Sequence, residues 1–259
     1  MAGMVRIDRL LGNLGYGSRR EIAALCRGGH VLLDGAPLRA ADTKVPLADA
    51  LATRLRVEGD ALDPLPGLAL AMHKPLGTTC SHDEAGPLVY DLLPPRWRRR
   101  DPPLSSAGRL DKDTSGLLIL TDDGALLHRI ISPRHQAPKR YRATLAEPLR
   151  ADAGAILASG TLVLNGEDRP LLPADLRLDG PTEAVVTIVE GRYHQVRRMF
   201  AALGNRVLAL HRDRVGGYDL PDDLAPGQWR ILSGDALAAV LAPQAKTGGG
   251  TPAPEEPRA

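Results

Sequence analysis

Residues 108–124 read Gly108-Arg109-Leu110-Asp111-Lys112-Asp113-Thr114-Ser115-Gly116-Leu117-Leu118-Ile119-Leu120-Thr121-Asp122-Asp123-Gly124. Two acidic, glycine-bearing turns enclose one apolar run of strand length. The first turn therefore delivers Asp111 to the mouth of a buried strand, where a carboxylate can be held rigidly for chemistry. Outward from this stretch, apolar runs at 68–72, 185–189 and 207–210 predict further strands, and helical spacing around 126–131 and 196–203 predicts helices between them. Strands interleaved with helices in this way place the chain among folds that combine a sheet with helices.

A chain of 259 residues can bury two cores. The punctuation Asp63-Pro64-Leu65-Pro66-Gly67 divides it into an N-terminal domain over 4–62, a linker at 63–67 and a larger domain over 68–241. Residues 242–259, rich in Pro, Gly and Ala, lack the large apolar side chains needed to offset ordering and are expected to form a disordered tail. The net charge of +2 is nearly balanced, yet residues 128–142 carry Arg129, Arg134, Lys139, Arg140 and Arg142 with no acid. Such a run is either a phosphate-neutralising patch or a solvated basic face. Cys26 and Cys80 form no CxxC pair, and the chain shows neither a signal-peptide pattern nor a bilayer-length apolar stretch. A reduced, cytoplasmic, monomeric protein away from membranes is expected.

In the N-terminal part, Ile7, Leu10, Leu11 and Leu14 recur at helical spacing, and Ser18 is placed to cap a second helix that turns Ile22, Leu25 and Cys26 inward. Arg19, Arg20 and Arg27 are left for solvent or a ligand. His30 to Leu33 followed by Asp34-Gly35 reads as a small hairpin. This order of helix, helix and hairpin resembles the S4 RNA-binding domain, and the likeness makes the three arginines candidate RNA contacts.

Three later stretches extend the resemblance: Lys74-Pro75-Leu76-Gly77, Lys139-Arg140-Tyr141, and residues 190–199, Glu-Gly-Arg-Tyr-His-Gln-Val-Arg-Arg-Met. In this order around Arg109-Leu110-Asp111, they look like the motifs of the pseudouridine synthases, in the branch that modifies ribosomal RNA and carries an N-terminal S4 domain. Residues 132–135 and the ending from 210 to 232, with Arg212-Asp213-Arg214-Val215-Gly216-Gly217, look most like its small-subunit members. The resemblance implies an α+β fold: a mixed, mainly antiparallel sheet with flanking helices and a catalytic cleft across its middle. It also implies isomerisation of a uridine in 16S rRNA, at the uridine-516 type site, without a cofactor or metal. A 23S rRNA target and a noncatalytic S4-domain ribosome-assembly protein are the alternatives.

By the same resemblance Asp111 is the catalytic residue, attacking the sugar or base covalently or assisting removal of a sugar proton. Arg197 matches the basic residue that pairs with this carboxylate, favouring its charged form and fixing its orientation. Tyr141 matches the active-site tyrosine, whose ring can stack on the displaced uracil and whose hydroxyl lies near the carbon that must lose its proton. Arg109 is placed to contact the position that a flipped nucleotide vacates. Arg134, Lys139, Arg140, Arg192 and Arg198 complete the expected RNA contacts. Lys74 is either part of a shaped loop supporting the site or a surface lysine.

A rival reading takes Asp111, Asp113, Ser115, Gly116 and Asp122 as the first, third, fifth, sixth and twelfth positions of an EF-hand loop. Pro102 and Pro103 stand where the entering helix would be, a strand fills the second half, and the closing Glu is Asp122. His73, His82 and Cys80 lack the spacing of a transition-metal site. No metal is expected.

Overall fold

A computed structural model describes residues 3–132 and 137–242. The expected contact Arg134 and residues 243–259 of the expected 242–259 tail lie outside the described residues. The N-terminal part runs β1 (Met4–Arg6), α1 (Ile7–Asn13), α2 (Arg19–Gly28), β2 (Val31–Leu33), β3 (Ala36–Pro37), β4 (Lys44–Pro46), α3 (Leu51–Arg54), β5 (Leu55–Val57) and β6 (Asp60–Ala61). Helix α2 starts at a capping box: Ser18 Oγ accepts from Glu21 N at 3.3 Å while Glu21 Oε2 accepts from Ser18 N at 2.7 Å. It ends at Gly29, whose φ of 80° suits a residue without a Cβ. Ile7, Leu10, Leu11, Leu14, Ile22 and Cys26 bury their side chains against Val31, Leu55 and Val57 in a core of their own.

The larger part runs β7 (Ala69–Lys74), two 3₁₀ turns (Val89–Leu92 and Pro95–Arg99), β8 (Ser105–Ser106), β9 (Thr114–Thr121), α4 (Gly124–Ile131) and β10 (Lys139–Leu145). It continues with α5 (Ala153–Ala158), β11 (Asp175–Leu178), β12 (Glu183–Ile188), α6 (Gln195–Ala202), β13 (Val207–Val215), β14 (Tyr218–Asp219), β15 (Trp229–Ile231) and α7 (Gly234–Val240). The sheet order is β11-β12-β10-β13-β9-β7-β15, with β14 added on β13 and β8 on β9. All pairs are antiparallel except β13 with β9, so the sheet is mixed, as the α+β reading expects. Alternation along the strands separates two faces. Leu70, Met72, Leu118, Leu120, Tyr141, Ala143, Val186 and Leu210 enter one core with Phe200 of α6, and Ala69, Ala71, Leu117 and Ile119 enter the other with Ile130 and Val240.

The parallel pairing of β13 and β9 covers only Leu210 with Thr114, His211 with Ser115 and Arg212 with Gly116. Beyond it the strands part, and β9 pairs with β8 instead at Leu120 and Thr121. Gly116 makes the approach possible: its φ is +112°, and a Cβ there would stand 2.2 Å from the Arg212 carbonyl oxygen. Where the ladder stops, the Arg212 side chain takes over, with Nε donating to Leu117 O at 2.8 Å.

Asp122, the closing position of the EF-hand reading, has a structural role instead. It forms an ion pair with Arg100 at 2.6 Å, with side chains 2% and 1% exposed, and accepts from Gly67 N at 2.8 Å. Arg100 also donates to Pro64 O and Leu65 O, so residues 64–67 are gripped by the larger part of the chain. Across the same junction Asp63 N donates to Tyr16 Oη, Arg96 lies 4.1 Å over the Tyr16 ring, and Asp101 N donates to Asn13 O.

Candidate active site

Asp111 sits on the turn that opens β9, with its carbonyl accepting from Thr114 N at 3.0 Å and its side chain 28% exposed. The neighbouring Lys112 carbonyl accepts from Gly77 N at 2.8 Å, which fastens the turn to the Lys74–Gly77 motif. Lys74 ends β7 fully buried, its Nζ donating to Thr114 O at 2.8 Å and Pro75 O at 3.2 Å. The surface reading of Lys74 is thereby overturned: a strand end buried under the turn leaves no path to solvent. Burial pushes its pKa down, against the opposing pull of Cys80, Asp111 and Asp113.

From the other half of the chain, the segment before α6 brings two basic side chains to the Asp111 carboxylate. His194 Nε2 lies 3.3 Å from Oδ1, and Arg197 Nε lies 4.0 Å from Oδ2. His194 holds a left-handed backbone, φ 47°, that a non-glycine residue adopts only where surroundings impose it. Arg197 is fixed from the far side: Nη1 donates to Val207 O, and Nη2 donates to Asp113 O and pairs with the Asp113 carboxylate at 2.9 Å. Its Nε is buried and has no hydrogen-bond partner among the described residues. Tyr193, 76% exposed, stacks on the His194 ring at 3.8 Å, an aromatic face open to solvent beside the carboxylate.

The segment carrying His194 is itself braced. Gln195, buried, accepts from Arg192 N and donates to Glu190, while Arg192 and Arg198 both pair with Glu167. The two arginines therefore brace the loop through internal carboxylates rather than standing free for RNA. Lys139 also departs from expectation. It is 6% exposed, donates to Ala137 O at 2.9 Å, and its pKa is pushed down to about 8 by burial and then by Arg212. A buried ammonium is out of reach of a phosphate. Arg140 pairs with Asp213 at 2.7 Å and Asp219 at 2.9 Å, and Arg142 with Asp213 and Asp179, so these two members of the basic run are neutralised by acids distant in sequence. Arg109 stays 72% exposed with only a 3.5 Å contact to Glu84, and Arg19, Arg20 and Arg27 are exposed.

Tyr141 is 7% exposed on β10, opposite Arg212 in the sheet register. Arg212 is 1% exposed; Nη1 donates to Tyr141 Oη at 3.3 Å and Nη2 to Gly108 O at 3.4 Å. One buried guanidinium thus ties the Gly108 end of the Asp111 turn, β9 and the Tyr141 ring together. Among the described residues no carboxylate lies within ion-pair distance of it. Lys74, Lys139 and Arg212 are three buried cations around this end of the sheet, an electropositive setting suited to an anionic substrate. Sequence reasoning missed Arg212 and the His194 contact; the signal available was the quoted Arg212-Asp213-Arg214 stretch, read only for its family likeness.

A cavity of about 550 Å³ adjoins the Asp111 turn at Lys112 and Asp113 and the Leu76-Gly77 stretch, and extends along Ser115, Arg142, Thr144 and His211. These alternate with Gly116, Tyr141 and Arg212 along their strands and so belong to the reverse face. There Ser115 Oγ and His211 Nδ1 are 2.9 Å apart, and burial together with His73 pushes the His211 pKa down. No group of three or more His, Cys, Asp or Glu residues placed to hold a metal occurs among the described residues. No described helix is long and apolar enough to cross a membrane.

The sequence matches the RNA pseudouridylate synthase family over residues 69–202 and the S4 domain over residues 5–51. It is 41% identical over 244 residues to ribosomal small subunit pseudouridine synthase A of Yersinia pestis, covering 92% of this chain and 99% of that protein. An uncharacterized RNA pseudouridine synthase of Bacillus subtilis, YtzG, is 38% identical over 244 residues, covering 93% and 100%. A crystal structure of a pseudouridylate synthase superposes with a TM-score of 0.63 at 35% identity, covering 91% of this chain and 99% of that one.

Proposed function

This chain belongs to the RNA pseudouridylate synthase family and carries an S4 domain, and we propose that it converts one uridine of small-subunit ribosomal RNA, the uridine-516 type site, to pseudouridine with Asp111 as reacting carboxylate. The small-subunit target is supported by relatives named for that activity that align over nearly the whole chain. The roles of the side chains are supported by one observation above all: His194 and Arg197 converge on Asp111 at 3.3 and 4.0 Å, although more than eighty residues separate them in sequence.

The isomerisation breaks the N1–C1′ bond, turns the uracil and joins C5 to C1′, after which C5 loses its proton. Asp111 starts the sequence ionised, whether it adds to the sugar or removes a sugar proton. Arg197 and His194, 4.0 and 3.3 Å from its oxygens, hold the direction of the carboxylate. Tyr141 offers its ring to the uracil while Arg212 fixes the phenol from behind, and the buried cations favour negative charge developing on the base. The reaction needs no redox step.

Residues 4–62 grip the RNA through Arg19, Arg20 and Arg27, residues 68–241 carry the reaction, and 63–67 join them. Arg109 contacts the RNA beside the vacated position, with its exposure in support. One chain holds both the RNA-binding and the reacting parts, so a cytoplasmic monomer suffices. The full-length protein, incubated with small- and large-subunit rRNA transcripts and with assembly particles, is expected to leave one new pseudouridine in small-subunit RNA. Modification confined to large-subunit RNA would overturn the target, and no modification on any of these substrates would overturn the reaction.

A further inference from the structure

We propose that a pocket between the S4 junction and the Asp111 turn accepts a nucleobase of the substrate RNA near the target uridine. The proposal rests on the function argued above and adds a second base-binding position to it. The pocket measures about 240 Å³ and is lined by His82, Tyr90, Asp91, Trp97, Arg98 and Leu104 among others. Drug-sized sites run from about 300 to 1,000 Å³, so this one suits a single ring system rather than a whole nucleotide.

Its walls are flat and aromatic. The exposed His82 ring stacks on the buried Tyr90 ring at 4.0 Å and 13°. Trp97, 4% exposed, forms part of the pocket wall. Trp229, packed against it at 4.9 Å, gives its own Nε1–H to Leu92 O. Aromatic side chains take unpaired bases by stacking.

Charge selects a base over a free anion. Arg98 pairs with Asp91 Oδ1 at 2.7 Å, and Asp91 Oδ2 accepts from Leu88 N, so the cation at the rim is already balanced. The pocket's flanks touch both parts of the chain to which the proposed function assigns RNA. Glu84, two residues from His82, contacts Arg109, which is two residues from Asp111. On the other flank the Pro95–Arg99 turn carries Arg96 onto Tyr16 of the S4 domain, and Arg99 is exposed beside it. A strand held by α2 and presenting its uridine to Asp111 therefore passes this pocket.

Trp229→Phe leaves Trp97 as the sole tryptophan, so its emission reports the pocket directly. Titration with adenosine and uridine 5′-monophosphates should give saturable quenching, inorganic phosphate should give none, and adding His82→Ala should abolish the nucleotide response. In the otherwise native chain, His82→Ala should raise the KM for small-subunit rRNA about tenfold at unchanged kcat, the loss of roughly one base stack. Quenching that phosphate reproduces, quenching that survives His82→Ala, or a KM within about twofold of wild type would overturn the proposal. If the native chain makes no pseudouridine at all, the reaction itself fails; the quenching arm still decides the pocket, because it needs no turnover.

Discussion

Replacing Arg212 with methionine should leave stability nearly unchanged while removing most of the activity. The guanidinium is 1% exposed and donates to Leu117 O, Tyr141 Oη and Gly108 O at 2.8, 3.3 and 3.4 Å. Hydrogen bonds from a charged donor contribute about 1.5–3 kcal/mol each, and two of these three are long, so their sum is about 4–6 kcal/mol. Burying the cation with no carboxylate beside it costs several kcal/mol, and the two effects nearly cancel. Methionine fills similar space, so the unfolding free energy should move by no more than about 2 kcal/mol in either direction. Activity has no such compensation. Tyr141 and the Gly108 end of the Asp111 turn lose their common anchor, and a displacement of about 1 Å at reacting groups costs roughly a hundredfold in rate. The assay pairs kcat on saturating small-subunit rRNA with urea unfolding followed by tryptophan emission. A kcat within about threefold of wild type would refute the anchoring role. So would a stability loss above about 3 kcal/mol, which would make the lost activity a matter of folding.

Two further outcomes concern stability. Lys139, with its pKa pushed from 10.5 to about 8, is less protonated in the folded than in the unfolded chain between those values, so stability should rise with pH across that window. Lys139→Met should remove that rise and raise stability at pH 7 by up to about 3 kcal/mol; parallel urea-unfolding curves at pH 7 and 9.5 for the two proteins would contradict it. Asp122→Ala leaves Arg100 buried and unpaired and frees the Gly67 N–H, so it should cost about 3–5 kcal/mol; a loss under about 1 kcal/mol would show that the pair at the domain junction is not holding it.

Periodicity read well wherever a helix or strand buries one face. The apolar spacing of Ile7, Leu10, Leu11 and Leu14 corresponds to α1 and its flank, Ser18 caps α2 as expected, and the run at 117–120 is the centre of β9. The Asp34-Gly35 turn joins β2 to β3, with Leu33 opposite Ala36. What periodicity could not give was the fate of charged side chains. Lys74 and Arg212 sit in strands as residues whose type argues for solvent, and only the parallel pairing of β9 with β13, a contact across almost a hundred residues, encloses Arg212. Lys139, Arg140 and Arg142 form one basic run in sequence. In the sheet, alternation sends Lys139 inward and the other two toward Asp213, Asp219 and Asp179. Asp122 matched a calcium ligand by spacing alone because its partner, Arg100, lies upstream in a turn that no local pattern links to it.

The central claim is that Asp111 performs the reaction. Its most direct test compares the native chain with Asp111→Asn on small-subunit rRNA, mapping pseudouridine and measuring RNA affinity on the same preparations. Asparagine keeps the size of the side chain and its place beside His194 and Arg197 but carries no charge and is a poor nucleophile or base. The account predicts unchanged RNA affinity within about threefold and no pseudouridine, a rate loss of at least about a thousandfold. Pseudouridine formed by Asp111→Asn at a rate near that of the native chain would contradict it.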